Sequence, residues 1–228
     1  MKAKRRFNIG LWVLLCVPCL LASCDHDVHD GEEEGGLSVS LTWADKADEG
    51  TDVKDVKLWI FDADKGSMIE EKHYGSTEEV ASQRFQLPEG TYCIQTFSNL
   101  TEPFFISEQT RALTNWNNIL IGLTNPKDVR NNAYFGVTDV KIDNKEGNYV
   151  VQTQKKKVLA ELTIIIENIP KGTEMSGKAL DCAWCLFPTQ KNSDGEYGLP
   201  SIEPTEVEMP TILATESTLQ SEVIRLMP

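Results

Sequence analysis

The sequence predicts an all-β fold of antiparallel sandwich type, and three observations predict it. Apolar and polar residues alternate with a period of two over Leu37–Trp43, Thr91–Phe97 and Tyr134–Ile142, the pattern of strands with one buried face. Clusters such as Asp62–Gly66, Pro88–Gly90 and Asp143–Asn148 separate the runs, and their Gly, Pro, Asp and Asn residues suit turns. Val158–Glu167 is long, β-branched and apolar, which fits a central core strand. The 205 residues from Cys24 to Pro228 leave room for one large β domain or two small ones.

Residues 1–23 stand apart from the fold. Lys2, Lys4, Arg5 and Arg6 form a basic end, Leu11–Leu21 an apolar run, and Ala22 and Ser23 a small-residue stretch. This is the layout of a secretory signal. The apolar run falls short of the ~20 residues of a membrane-spanning helix. Leu21-Ala22-Ser23-Cys24 resembles a bacterial lipobox, which implies cleavage between Ser23 and Cys24 and lipid attachment at Cys24. One acyl chain binds a membrane only marginally. Lipoproteins of this kind carry more than one, palmitate among them, and the anchor is then effectively permanent.

Residues 24–36 follow as an acidic tether. Asp25, Asp27, Asp30 and Glu32–Glu34 are interleaved with His26, His29 and three glycines. Such a segment buries too little apolar surface to offset its ordering entropy, and the twelve residues Asp25–Gly36 reach at most ~40 Å. An acidic run just after a lipidated cysteine resembles the signal that sends Bacteroidetes lipoproteins to the outer face of the outer membrane. The His/Asp alternation also has the composition of a weak divalent-metal site, but a solvated tether accounts for it and no metal is assigned.

The folded part begins at Leu37–Trp43, a strand with one apolar face. Val53–Phe61 is the second strand, with Val56, Leu58 and Ile60 on one face and Lys57, Trp59 and Phe61 on the other. After the Asp62–Gly66 turn, Met68–Tyr74 returns antiparallel. Asp62 and Asp64 do not complete an EF-hand pattern. Ser76-Thr77-Glu78-Glu79 has capping-box form and reads either as the start of a short helix or as the loop into a strand over Gln83–Leu87. Pro88–Gly90 turns the chain into Thr91–Phe97, with Tyr92, Ile94 and Thr96 opposite Cys93, Gln95 and Phe97.

Ile60-Phe61-Asp62, the Asp64–Gly66 turn and Leu87-Pro88-Glu89-Gly90-Thr91-Tyr92 together resemble the N-terminal domain of Bacteroidales fimbrial anchor lipoproteins and their fimbrillin-like relatives. The match covers about residues 37 to 100 well. It implies two tandem transthyretin-like antiparallel β-sandwiches, with the Gly-x-Tyr turn opening a central strand. The expected domains are 37–150 and 151–228, the second short and either reduced or truncated relative to the family.

Beyond Asn99 the pattern weakens to an apolar patch at Phe104–Ile106 and a segment at Leu113–Leu123. Trp116 beside Asn117 and Asn118 has the composition to stack on a sugar ring, and Trp116 and Asn117 are the candidate glycan contacts. The lysines Lys155–Lys157 read as solvated. Leu180–Phe187 reads as one buried strand ended by Pro188, and Ser201–Pro210, with two prolines, as an edge or a crossing.

Composition excludes several functions. The formal charge is −13, or −17 without Lys2, Lys4, Arg5 and Arg6, which argues against nucleic acid and against electrostatic attraction to an anionic bilayer. Besides Cys24 and the signal's Cys16 and Cys19, only Cys93, Cys182 and Cys185 remain, which is no disulfide framework. Cys182 and Cys185 have redox spacing, yet they sit in a strand context rather than at a helix N-terminus. Core thiols, a bridge across a bulge and redox chemistry all stay open for them. His26 and His29 lie in the tether and His73 is alone, so no catalytic set, cofactor or zinc site is indicated.

The reading that follows is a surface lipoprotein of the outer membrane serving as a fimbrial anchor or accessory subunit, not an enzyme. Its lipid engages the membrane, and its β-sandwich edges pair with strands of fimbrial subunits or other β-sandwich proteins. In the family, shaft subunits mature by cleavage after a basic residue near the N-terminus. No Lys or Arg lies between Cys24 and Lys46, which favours an anchor. The alternative is a surface glycan-binding lipoprotein of a nutrient-uptake system.

Overall fold

The computed structural model describes residues 36–107, 116–125, 129, 131–201, 204–214 and 217–227. The signal, Cys24 and the tether up to residue 35 lie outside them. In chain order the strands are β1 (Gly36–Trp43), β2 (Val56–Asp62), β3 (Met68–Tyr74), β4 (Gly90–Ser98), β5 (Phe104–Ile106), β6 (Ile121–Leu123), β7 (Tyr134–Ile142) and β8 (Asn148–Lys157). There follow β9 (Ala160–Leu162), β10 (Ile165–Glu167), β11 (Glu174–Ala183), β12 (Cys185–Lys191), β13 (Tyr197–Pro200), β14 (Pro204–Leu213), β15 (Thr218–Gln220) and β16 (Ile224–Leu226). One short helix, α1 (Thr77–Ala81), lies between β3 and β4.

A six-stranded sheet, ordered β1-β8-β7-β4-β2-β3, forms the body. It is antiparallel except at one edge, where β1 runs parallel to β8 from Gly36↔Asn148 to Trp43↔Lys155. Side-chain alternation gives this sheet two cores. Leu58 and Ile60 of β2, Tyr92 and Ile94 of β4 and Val140 of β7 face one way, under Leu37, Val39, Val80 of α1 and Phe85. Trp59, Phe61, Cys93, Phe97 and Phe135 face the other way, against a four-stranded sheet ordered β13-β12-β6-β5. Ile119, Ile121 and Leu186 fill the gap between the layers. Each fully buried side chain of this size contributes roughly 1.5–3 kcal/mol.

Local chemistry explains the turns. Asp62 closes the β2–β3 hairpin by accepting from Asp64 N at 3.1 Å and Lys65 N at 2.9 Å, and Gly66 supplies the positive φ of 73°. The Tyr92 hydroxyl donates to the Pro88 carbonyl at 2.6 Å, so the Pro-x-Gly-x-Tyr motif locks its own turn. At α1, Ser76 Oγ accepts from Glu79 N at 3.3 Å, and Glu79 reaches back to Gly75 N at 2.7 Å. The helix therefore forms, and of the strand at Gln83–Leu87 only a bridge between Leu37 and Phe85 remains.

Past Lys157 the chain departs from its sequence reading. Val158–Glu167 is not one core strand. Val158 and Leu159 are buried, but β9 is exposed throughout, and Ile165 is 57 % exposed. The lysine run is not uniformly solvated, with Lys156 and Lys157 of intermediate exposure. Lys155 is buried with its Nζ 3.6 Å from the centroid of the Trp43 ring, and Trp43 meets Tyr134 edge-on at 5.0 Å. An aromatic face offsets part of the ammonium's desolvation. Leu180–Phe187 is likewise broken. β11 ends at Ala183, Leu180 is 63 % exposed, and Pro188 sits inside β12 rather than ending it. The boundary expected at 150/151 falls within β8, and β12 reaches back to pair with β6.

Candidate partner-binding surface

The stretches 160–183 and 204–226 form one antiparallel ribbon. Its ladders follow one another in antiparallel order, from Ala160↔Leu226 through Ile166↔Leu219 and Glu174↔Leu213 to Ala183↔Pro204. Between the ladders Ser221 N donates to Ile164 O at 2.9 Å, and Gly172 N and Ala214 N keep the strands joined. The ribbon doubles back, because Ala183 N donates to Met227 O at 3.2 Å and so brings its two ends together. The turn falls between β10 and β11, where Asn168 and Gly172 take φ of 60° and 86°.

One side of the ribbon is closed and the other is open. Val207, Ala214, Leu219 and Ile224 are buried. Ile165, Leu180, Leu213 and Val223 are among the exposed large hydrophobics, and Trp184, one residue past β11, is 38 % exposed. Each ladder is two strands wide among the described residues, which leaves its outer edges without a third strand of the ladder there. Bulges between Met175 and Gly177 and between Ala179 and Cys182 interrupt the register, the second of them containing Asp181 at φ 57°. Pro210 falls in the irregular stretch between the pairs Met175↔Ile212 and Gly177↔Met209, a place in a ladder that tolerates proline.

The ribbon carries eleven charged residues, eight of them acidic. Lys178 Nζ meets Glu206 at 2.9 Å across the strands, and this carboxylate holds the exposed ammonium above its ordinary range. At the ribbon's base Arg225 Nε reaches Asn132 at 3.2 Å and Glu161 at 3.1 Å. Lys157 pairs with Asp48 at 3.0 Å. These contacts fix the base to the body and leave the apolar positions farther out uncovered.

The residues singled out in the sequence are scattered. Cys24 and Ser23 lie outside the described residues. Trp116 is half-buried against the core, its N–H bonded to Gly66 O and its carbonyl accepting from Thr189 Oγ1 at 3.0 Å; the side chain of Asn117 is outside the described residues. Cys182 and Cys185 are buried and form no disulfide, one at the end of the ribbon and one in the four-stranded sheet. Burial pushes the Cys182 thiol up, with Asp181 adding to the shift. Cys93 is pushed up to about 12, again chiefly by burial. Both thiols are thereby poor nucleophiles at neutral pH. No group of metal-binding side chains occurs among the described residues.

The ribbon itself escaped the sequence reading. Its signal is the alternation in Glu174-Met175-Ser176-Gly177-Lys178-Ala179 and again in Glu206-Val207-Glu208-Met209, weak because glycine and alanine stand at the inward positions.

Comparison with known proteins places the chain. The model of the family described as "Mfa2: Fimbrillin-A associated anchor proteins Mfa1 and Mfa2" matches residues 24–195. Among solved structures, the fimbrial anchor protein Mfa2 of Porphyromonas gingivalis superposes with a TM-score of 0.63 at 14 % identity, over 84 % of this chain and 72 % of that one. A candidate adhesin of Bacteroides thetaiotaomicron gives 0.58 at 12 % identity, over 84 % and 69 %. A candidate polysaccharide-binding protein of the same organism gives 0.57 at 10 % identity, over 82 % and 71 %. No curated protein sequence matches. At these identities the structures speak for the shared fold, and the family model for descent: the chain belongs to the Mfa2 family of fimbrillin-associated anchor proteins.

Proposed function

We propose that this protein is a lipid-anchored surface subunit of a fimbrial system, an anchor or accessory component that joins its neighbour by strand pairing along the folded ribbon. The observation that carries the reading is the ribbon's build. It is two strands wide and shows large apolar side chains on both legs, among them Ile165, Leu180 and Leu213. A two-stranded ribbon is marginal alone, and a donated strand would satisfy its edge and cover those side chains at once. On this reading the residues after 151 have two tasks. β12 and β13 complete the body, and the ribbon faces the partner. The Leu21–Cys24 signal and the acidic tether support attachment through Cys24 at the outer face of the outer membrane.

The test uses two variants. Leu180→Asp with Leu213→Asp alters exposed positions, so its melting temperature should match the wild type while co-purification of fimbrial subunits is lost. Cys24→Ala should release the protein, with its attached fimbriae, into the medium. Unchanged co-purification would remove the ribbon from the interface, and a cell-bound Cys24→Ala protein would refute the lipid anchor.

A further inference from the structure

A second surface of a different kind lies between β7, β8 and the tip of the β12–β13 hairpin. It is a cleft of about 320 Å³, within the size range of small-ligand pockets. It exists because β7 and β8 pair only at Tyr134↔Lys157 and Phe135↔Lys156. Beyond that point the ladder stops, and Thr138 Oγ1 reaches the Gln152 carbonyl at 3.4 Å instead.

The hairpin tip is pinned beside the gap. The Tyr197 hydroxyl donates to Asp139 Oδ2 at 2.5 Å, and Lys191 Nζ stands 4.6 Å from the centroid of the Tyr197 ring. Burial first, and Asp139 second, push the phenol far up, so it stays a neutral donor. Asn192 Oδ1 accepts from Asp194 N and Glu196 N, both at 3.0 Å, and holds the turn.

What the cleft offers a ligand is neutral. Lys156 and Glu196 pair at 2.9 Å and cancel. The side chains of Gln152 and Gln154 stand exposed on the same face of β8, about 7 Å apart along the strand. Each amide is both donor and acceptor. Phe135 and Val137 line the apolar part, with the Tyr197 ring at the side. The cleft runs on past Gln154 and Lys156 into a wider groove of about 920 Å³, where Lys157 and Asp48 are again paired at 3.0 Å. An elongated groove with matched charges, paired amides and an aromatic ring suits a chain of hydroxyl groups. It does not suit an ionic polymer, which would have to break both ion pairs.

We infer that this cleft binds a neutral glycan chain, the Gln152 and Gln154 amides hydrogen-bonding its hydroxyls and the Tyr197 ring packing on a sugar face. Affinity electrophoresis tests it, with purified protein run through gels holding a β-glucan, an α-mannan, a dextran or a xylan, and alginate as the acidic comparison. At least one neutral polymer should retard the protein. Gln152→Ala with Gln154→Ala should weaken that retardation at least tenfold at an unchanged melting temperature. Tyr197→Phe, which keeps the ring, should retain it. Retardation by alginate alone, by none of the neutral polymers, or equally in the double variant would overturn the assignment. None of these outcomes touches the ribbon.

Discussion

The body and the folded ribbon are built from the same kind of strand and differ in how many neighbours each strand has. β4 lies between β2 and β7, and seven of its nine residues are buried. Among the described residues β11 pairs with β14 alone, and most of its length alternates between exposed and half-buried residues. In the body, side chains meet packed layers on both faces, so packing decides stability. In the ribbon, backbone pairing, the contacts at its base and one buried side that holds Val207, Ala214 and Leu219 decide it, while the apolar positions of the other side stay exposed. A strand covered on one side only thus leans on its pairing more than a strand packed on both.

The contrast can be broken or sharpened by substitution. Phe61→Ala opens a cavity in a fully buried site and should cost about 3–5 kcal/mol in urea unfolding. Leu213→Ala, at a position 56 % exposed, should stay within about 0.5 kcal/mol. Equal costs would erase the distinction. A smaller effect is expected at the motif turn. Tyr92→Phe removes the bond to Pro88 O and should cost about 1 kcal/mol, with amide exchange quickened around β4 and unchanged in β11. A loss of protection in the ribbon would mean that the two regions unfold as one.

The smallest effect is a pH dependence at Lys155. Burial lowers its pKa from 10.5, with Glu78 opposing in part. The unfolded chain then binds the proton more tightly than the folded one, so stability rises with pH between the lowered value and 10.5. The buried ammonium costs stability at neutral pH, and that cost fades in alkali. The stability gained by Lys155→Met over the wild type should therefore be larger at pH 7 than at pH 10. A constant difference would show that the Trp43 face has already cancelled the cost.

Much of the body was legible. The opposed faces of β2 and β4, with Leu58 and Ile94 against Trp59 and Phe97, follow from period-two alternation alone, and both cores appear where it puts them. The Asp62–Gly66 and Pro88–Tyr92 turns were legible because their chemistry is local. The parallel pairing of β1 with β8 was not, since nothing in Leu37–Trp43 names a partner more than a hundred residues away. Lys155 misled because its burial depends on Trp43 arriving from that same distant strand. Ile164–Ile166 misled in the opposite sense. Ile165 and Ile166 do form a strand, but composition cannot say whether a second layer covers it. The Gln152–Tyr197 cleft was invisible for a related reason. It is made by a pairing that stops, and sequence patterns report strands better than the gaps between them.

The parallel run of β1 along β8 has a mechanical meaning. Eight register pairs join the two strands, from Gly36↔Asn148 at the entry to Trp43↔Lys155. The chain enters β1 at Gly36 and leaves β8 at Lys157 towards the ribbon. Tension between the N-terminal side and the ribbon draws β1 backwards and β8 forwards along one axis. Parallel strands pulled this way are sheared, and all their ladder bonds stretch together. An antiparallel partner would place the two loaded ends side by side, and the bonds would open one after another like a zip. The edge that sequence alone could not pair is thus oriented to hold a lengthwise load.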